Sequence, residues 1–221
     1  SETRITNNRE YQNLIQQHSN PQVFDSLNFS NILSEENDIN FLRKNLFGRK
    51  AEFHRLYQSS RDGFYAQTFH KKCDNRGPTL CLIKSKTNDK VFGGFAEASW
   101  NEDLNQPDHD LPKFNKSFLF SLKDRNLFHL TGKNDNRALF YSPKRGPIFG
   151  KFNVVSNDKT YYTYDLCVNL KSDEKKASYS CSQIGMTYGP VHRPIENFDS
   201  TFLAGTNYFE IAELEVYQVK F

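Results

Sequence analysis

The sequence predicts a mainly β, α+β fold: a two-sheet antiparallel β-sandwich with its few helices in the N-terminal part. Three observations carry that expectation. Beyond Pro78 the chain becomes a series of short apolar or aromatic runs parted by turn residues such as TND, KND and SND. No helical pattern alternates with them, which favours antiparallel pairing over crossovers through helices. The 221 residues also hold 20 Phe and 11 Tyr against one Met and one Trp, an aromatic bias that suits pleated, half-buried surfaces.

Taken in order, residues 1–28 read as a polar arm rich in Asn, Gln and Ser, in which Tyr11, Leu14 and Ile15 can line one face of a short docking helix. Residues 29–221 read as one domain, because no linker-like composition or internal repeat divides them. A helix follows Ser34, with Glu35 and Glu36 at its positive end, Ile39, Leu42 and Leu46 on one face, and Gly48 as its stop. EFHRLYQ (52–58) reads as a strand. GFYAQTFHKKC (63–73) reads as a helix, with Ala66, Phe69, His70 and Cys73 in one stripe. The strand runs are TLCLIKSK, VFGGFAEAS, SFLFSLKD, NLFHL, ALFYS, IFGKFNVV, YYTYDLCVNL and NYFEIAELEVYQV. In the last, Phe209 and Ile211 alternate in one register and Leu214 and Val216 in the other, so a bulge or bend is expected between them.

Charge and composition narrow the function classes. The net charge of +3 comes from nearly balanced, scattered acids and bases, which argues against nucleic acid as a partner. No apolar run approaches the ~20 residues of a membrane-spanning helix, and the opening SETRITNNREYQ does not read as a signal peptide. Cys73, Cys81, Cys167 and Cys181 form no C-x-x-C pair, so reduced thiols in the cytoplasm are expected.

The stretch LYQSSRDGFYAQTFHKKCDNRGPTL (56–80) gathers Ser59, Ser60, Arg61, Asp62, His70, Cys73 and Asp74, side chains that hydrolases and metal sites use. Catalysis is not expected from it. Cys73 falls in the last turn of its helix, where the dipole opposes a thiolate. His70 and Cys73 supply two ligands where a structural zinc needs four, so neither a metal nor a cofactor is expected. Asp62 reads as the cap of the helix that Gly63 opens, and the Ser60 hydroxyl as a turn bond. Arg61 is either an ion-pair partner of the sheet or an exposed recognition group, the structural role being preferred. Gly93-Gly94, Gly146 and Gly150 do not match a phosphate loop and instead suggest close backbone approach within strands. Trp100 is a partner anchor or a core cover. Glu102, Asp103, Asp108 and Asp110 lack the spacing of a calcium loop and read as solvated. Glu213 and Glu215 alternate with apolar neighbours and are expected to face solvent or a polar partner.

The order of these pieces resembles the TLDc domain family. The landmarks are SNILSEEN (30–37), LYQSSRDGF (56–64), FHKKCDNRGPTL (69–80), VFGGF (91–95), Trp100, FLFSL (118–122), GPIFG (146–150) and FLAGTNYFEIAELEVYQV (202–219), which includes Gly205. The resemblance implies a two-sheet sandwich, protein binding without a settled reaction, regulation of the vacuolar proton-pumping ATPase, and a link to oxidative-stress resistance. It also implies a cytoplasmic location peripheral to a membrane-bound or cytoskeletal complex. It marks LYQSSRDGF and LAGTNYFEIAELEVYQV as mainly structural. The chain departs from many relatives after GPIFG, where it reads KFNVV, with Lys151 and Asn153. Two alternatives accompany the binding role: a structural component of a large assembly, and a peroxide scavenger using Cys73 or Cys81.

Overall fold

A computed structural model describes residues 26–46, 51–105, 116–132, 137–156, 159–171, 179–190 and 199–221, with the side chains of 46, 155 and 156 excluded. The docking helix expected around Tyr11, Leu14 and Ile15 lies outside the described residues, as do Asp108 and Asp110.

The terminal run organises the molecule. Its two halves belong to different sheets. Tyr208–Phe209 (β13) edges a five-stranded sheet, and Ile211–Lys220 (β14) lies second from the edge of a seven-stranded one. The chain therefore changes sheet at Glu210, and a further register shift follows between Ile211 and Glu213. This is the break that the double alternation predicts.

β14 pairs antiparallel with Glu52–Gln58 (β1) on one side and Thr79–Ser85 (β2) on the other. The larger sheet continues through Val91–Ala96 (β3), Phe118–Ser121 (β4), Asn126–Leu130 (β5) and Tyr188–Pro190 (β12). The smaller sheet runs from β13 through Ser180–Ser182 (β11), Leu166–Cys167 (β10) and Ile148–Phe149 (β7) to Leu139–Phe140 (β6). Phe152–Ser156 (β8) and Lys159–Thr163 (β9) form a separate hairpin.

The two sheets enclose one core, in which Cys81, Ile83, Phe92, Leu119, Leu214 and Val216 meet Phe149, Leu166 and Phe209. Phe92 and Phe209 touch edge to face at 5.2 Å, a favoured aromatic geometry. Glycine permits the close approach. A Cβ on Gly94 would stand 2.6 Å from the Phe149 ring, and one on Gly93 would stand 1.9 Å from the Cys81 carbonyl oxygen.

The opposite face of the larger sheet is covered as well. Leu27, Ile32, Leu33 and Leu42 pack there against Phe53, Leu80, Leu82, Phe120, Tyr217 and Val219. Leu42 comes from the helix Glu36–Leu46 (α1), and Leu27 from the 3-10 turn Ser26–Phe29. Residues 26–28, which composition assigns to the arm, thus belong to the fold: Leu27 is fully buried and the Ser26 hydroxyl donates to the Phe53 carbonyl. Among the described residues no helix is long and apolar enough to cross a membrane.

Candidate functional site

The residues of LYQSSRDGF form a strut between the end of β1 and β14. A short helix, Ser59–Asp62 (α2), follows β1 directly. Ser59 Oγ donates to Glu213 Oε1 at 2.6 Å and accepts the Leu214 N–H at 2.9 Å, while the Ser60 N–H reaches the same carboxylate at 3.0 Å. The hydroxyl that holds the turn is therefore that of Ser59, one residue before the expected Ser60.

Asp62 does not cap the helix Ala66–Cys73 (α3), which starts beyond it after Tyr65 and takes no side-chain cap. It accepts the Gln58 N–H at 2.9 Å and pairs with Arg61 at 2.8 Å and Lys72 at 3.2 Å. Burial alone would raise its pKa, but the Arg61 hydrogen bonds, the Gln58 N–H and Lys72 together hold the carboxyl down at about 2. Gly63 closes α2 at φ 88°, and its carbonyl accepts the Tyr57 hydroxyl at 2.6 Å.

Glu213 and Glu215 overturn the expectation that they face solvent. Glu213 is 9% exposed and Glu215 is fully buried. Glu215 accepts the Ser30 hydroxyl at 2.5 Å, the Asn31 N–H at 2.8 Å and the Tyr217 hydroxyl at 2.7 Å, and lies 3.4 Å from Arg55 Nη1. Strand alternation does put it opposite Leu214 and Val216. That opposite face is the one covered by α1 and the 3-10 turn, so the carboxylate must be satisfied internally. Both glutamates are framework acceptors rather than a contact surface.

His70 and Cys73 diverge. Cys73 is buried in the core between the sheets, where burial pushes its thiol far above the usual range, and Cys81 is raised likewise. His70 Nδ1 faces Asp74 Oδ1 at 2.9 Å, and Nε2 faces the carbonyls of Ser142 and Arg145 at 2.9 and 2.8 Å. The ring thus fastens the 142–145 turn to α3. Trp100, a possible partner anchor on sequence grounds, is buried and donates its indole N–H to Thr79 Oγ1 at 2.9 Å. Gly146 packs against Val168 and Leu170, and Gly205 turns beside Asn88 and Lys90 at φ 76°.

Sequence reasoning passed over three features. Asp165 sits inside a run read as one strand, although aspartate is unfavourable there, and it ends β9 before β10 begins. Its buried carboxylate accepts the N–H groups of Gly185, Met186, Thr187 and Tyr188 at 3.0–3.4 Å. A Cβ on Gly150, at φ 66°, would lie 2.0 Å from Asp165 Oδ2, so this glycine leaves room for that carboxylate. Burial raises the Asp165 pKa to about 6 despite the four donors.

The second feature is the β8–β9 hairpin, which exposes Val154, Tyr161 and Tyr162. Lys151 lies 4.4 Å from the centroid of the Tyr162 ring and 3.6 Å from that of Phe140, and burial together with Arg137 and Arg145 lowers its pKa. The third is the pair Cys167 and Cys181, opposite each other across β10 and β11.

A sequence-family model for the TLDc domain matches residues 27–220. The chain belongs to the TLDc domain family. A comparison with curated proteins gave no match. In this TLDc domain the two signature segments meet: β1 pairs with β14, and Ser59 is bonded to Glu213. The departure KFNVV makes up most of β8, the first strand of the β8–β9 hairpin.

Proposed function

We propose that this TLDc domain works by binding protein rather than by catalysis, with the β8–β9 hairpin as its contact element and the vacuolar proton-pumping ATPase as its partner. The hairpin carries the reading. Tyr161 and Tyr162, successive residues of β9, are 53% and 58% exposed, and the Lys151 ammonium group stands beside the Tyr162 ring. Exposed aromatics on a hairpin, one of them next to a cation, are typical of recognition surfaces. The polar residues of the signature support it from the other side, since Ser59, Glu213 and Glu215 are engaged in internal hydrogen bonds. On this reading the domain acts in the cytoplasm, peripheral to the membrane that holds the pump, and its tie to oxidative-stress resistance runs through that partner.

The test is purification of bound proteins from native extract with the unaltered chain and with Tyr161→Ser/Tyr162→Ser. ATPase subunits are expected with the first and lost with the second. Recovery of a filament or another large assembly without those subunits would favour the structural-component alternative. Unaltered binding by the double variant would move the contact away from the hairpin.

A further inference from the structure

Cys167 and Cys181 are directly opposed in antiparallel β10 and β11, so their side chains leave the sheet on the same face. Leu166 and Phe149 face the core between the sheets, whereas Cys167 joins a small cluster with Ile148 and Tyr164 on the outer side, against which Cys181 packs. Cys167 is buried and Cys181 half-buried. A cation is fixed beside Cys167: Arg145 Nη1 lies 3.4 Å from Cys167 Sγ, and its guanidinium stands 5.2 Å from the centroid of the Tyr164 ring. The turn that carries it is held by His70, through the Arg145 and Ser142 carbonyls, and by the Arg145 N–H to the Ser142 carbonyl at 3.1 Å.

This arrangement separates the roles of the two sulfurs. The hydrogen bond from Cys167 lowers the Cys181 pKa, and the Arg145 charge adds to that against the effect of burial. The bond to Cys181, and then burial, raise Cys167. A guanidinium fixed on one thiol of the pair, whose charge also reaches the partly open one, is a setting in which thiolates become reactive. Cys73 and Cys81, fully buried in the main core, lack that opening.

We propose that Cys167 and Cys181 are a reversible thiol switch, closing to a cross-strand disulfide by exchange with a small anionic disulfide. Cys181 thiolate attacks one sulfur of the small disulfide, whose S–S bond breaks, and one small thiolate leaves with the electron pair. Cys167 Sγ then attacks Cys181 Sγ, and its thiol proton passes to the second small thiolate as that is expelled. Two protein thiols are oxidised and one small disulfide is reduced to two thiols. Opposed Cβ atoms on antiparallel strands stand about 4.5–5.5 Å apart and a disulfide needs about 3.5–4.5 Å, so closure takes only a small local movement. The anionic preference follows from Arg137, Arg145 and Lys151, whose charges act on one another at this end of the sheet.

The reduced full chain is incubated with oxidised glutathione at neutral pH, quenched in acid, alkylated and mapped as non-reduced peptides. One cross-linked peptide joining residues 167 and 181 is expected, and dithiothreitol should reverse it. Cys181→Ser should abolish it, and Cys167→Ser should stop at a glutathione adduct on Cys181. Cystamine, a cationic disulfide, should react several-fold more slowly at low salt, with the gap narrowing as salt screens the charges. Arg145→Ala should slow Cys181 alkylation several-fold at neutral pH, because the thiolate fraction falls when the guanidinium charge is removed. That difference should close at alkaline pH, whereas mere disruption of the fold would change the rate at every pH. A persistent glutathione adduct in the unaltered chain, earlier modification of Cys73 or Cys81, or no reaction while the chain is folded would each overturn the switch. Equal rates with both small disulfides would overturn the anionic preference.

Discussion

Removing the Glu215 carboxylate would leave the Arg55 side chain, 2% exposed, without this counter-charge, and would strip the Ser30, Asn31 and Tyr217 donors of their acceptor. Truncating one member of a buried pair typically costs about 3–5 kcal/mol. Glu215→Ala is therefore expected to lose about 3 kcal/mol or more in urea unfolding, and Glu215→Gln, which keeps an acceptor oxygen, clearly less. An alanine variant as stable as the parent would remove the strut from the account. Reversal of both charges, Glu213→Lys with Glu215→Lys, is expected to prevent folding, the opposite of what strand alternation alone implies. Alternation identifies a second face but not what covers it, and here the cover comes from residues 27–42, far away in sequence.

Asp165 gives a pH-dependent counterpart. Its folded pKa is raised to about 6 from the 3.8 of a free aspartate, so the folded state holds the extra proton. The contribution to stability is fully present below about pH 4 and is lost as pH rises through 6. Over two pH units that amounts to on the order of 2–3 kcal/mol. Comparison of unfolding free energies from pH 4 to 7 should show a decline in the parent that Asp165→Asn flattens. Parallel curves would mean that the four N–H donors offset burial completely.

At the level of elements, the paired glycines of β3 make separable contributions. A side chain at Gly94 meets the side-chain ends of Phe149 and Leu119, whereas one at Gly93 meets the backbone carbonyl of Cys81. Gly94→Ala should cost about 1–3 kcal/mol, as overpacking does. Gly93→Ala should cost more, because it disturbs the β2–β3 pairing at Leu82 and Gly93. Thermal melts of both variants decide this, and the reverse order would contradict the packing argument. Both glycines could be recognised in the sequence as close-approach points, and β1 has the bounds its apolar pattern gives. β11 and β12 could not. SCS and YGP are three residues each, with no apolar period, and they become strands through pairing with β10 and β13, and with β5. For the same reason the Cys167–Cys181 pair is invisible in sequence: fourteen positions separate the thiols, and only β-pairing brings them together.

For the whole molecule, β14 connects all three layers. Leu214 and Val216 enter the core between the sheets, Tyr217 and Val219 enter the core under α1, and Glu213 and Glu215 hold the α2 turn and the Ser30 loop. Just ahead of it Phe209, on the smaller sheet, packs against Phe92 of the larger. A terminal segment with these contacts is not a tail. Burying each large apolar side chain contributes about 1.5–3 kcal/mol, so the loss of Phe209, Leu214, Val216, Tyr217 and Val219 together rivals the ~5–15 kcal/mol that stabilises a typical domain. β1 and β2, whose strand pairing runs through β14, would also lose it. Deletion of residues 207–221 should therefore leave a chain with no cooperative thermal transition and with protease sensitivity throughout. Tyr161→Ser/Tyr162→Ser should instead melt within about 0.5 kcal/mol of the parent, as exposed substitutions usually do. A truncated chain that still unfolds in one sharp transition would show that the two sheets hold together without β14, and the layered account of the fold would fail at its central strand.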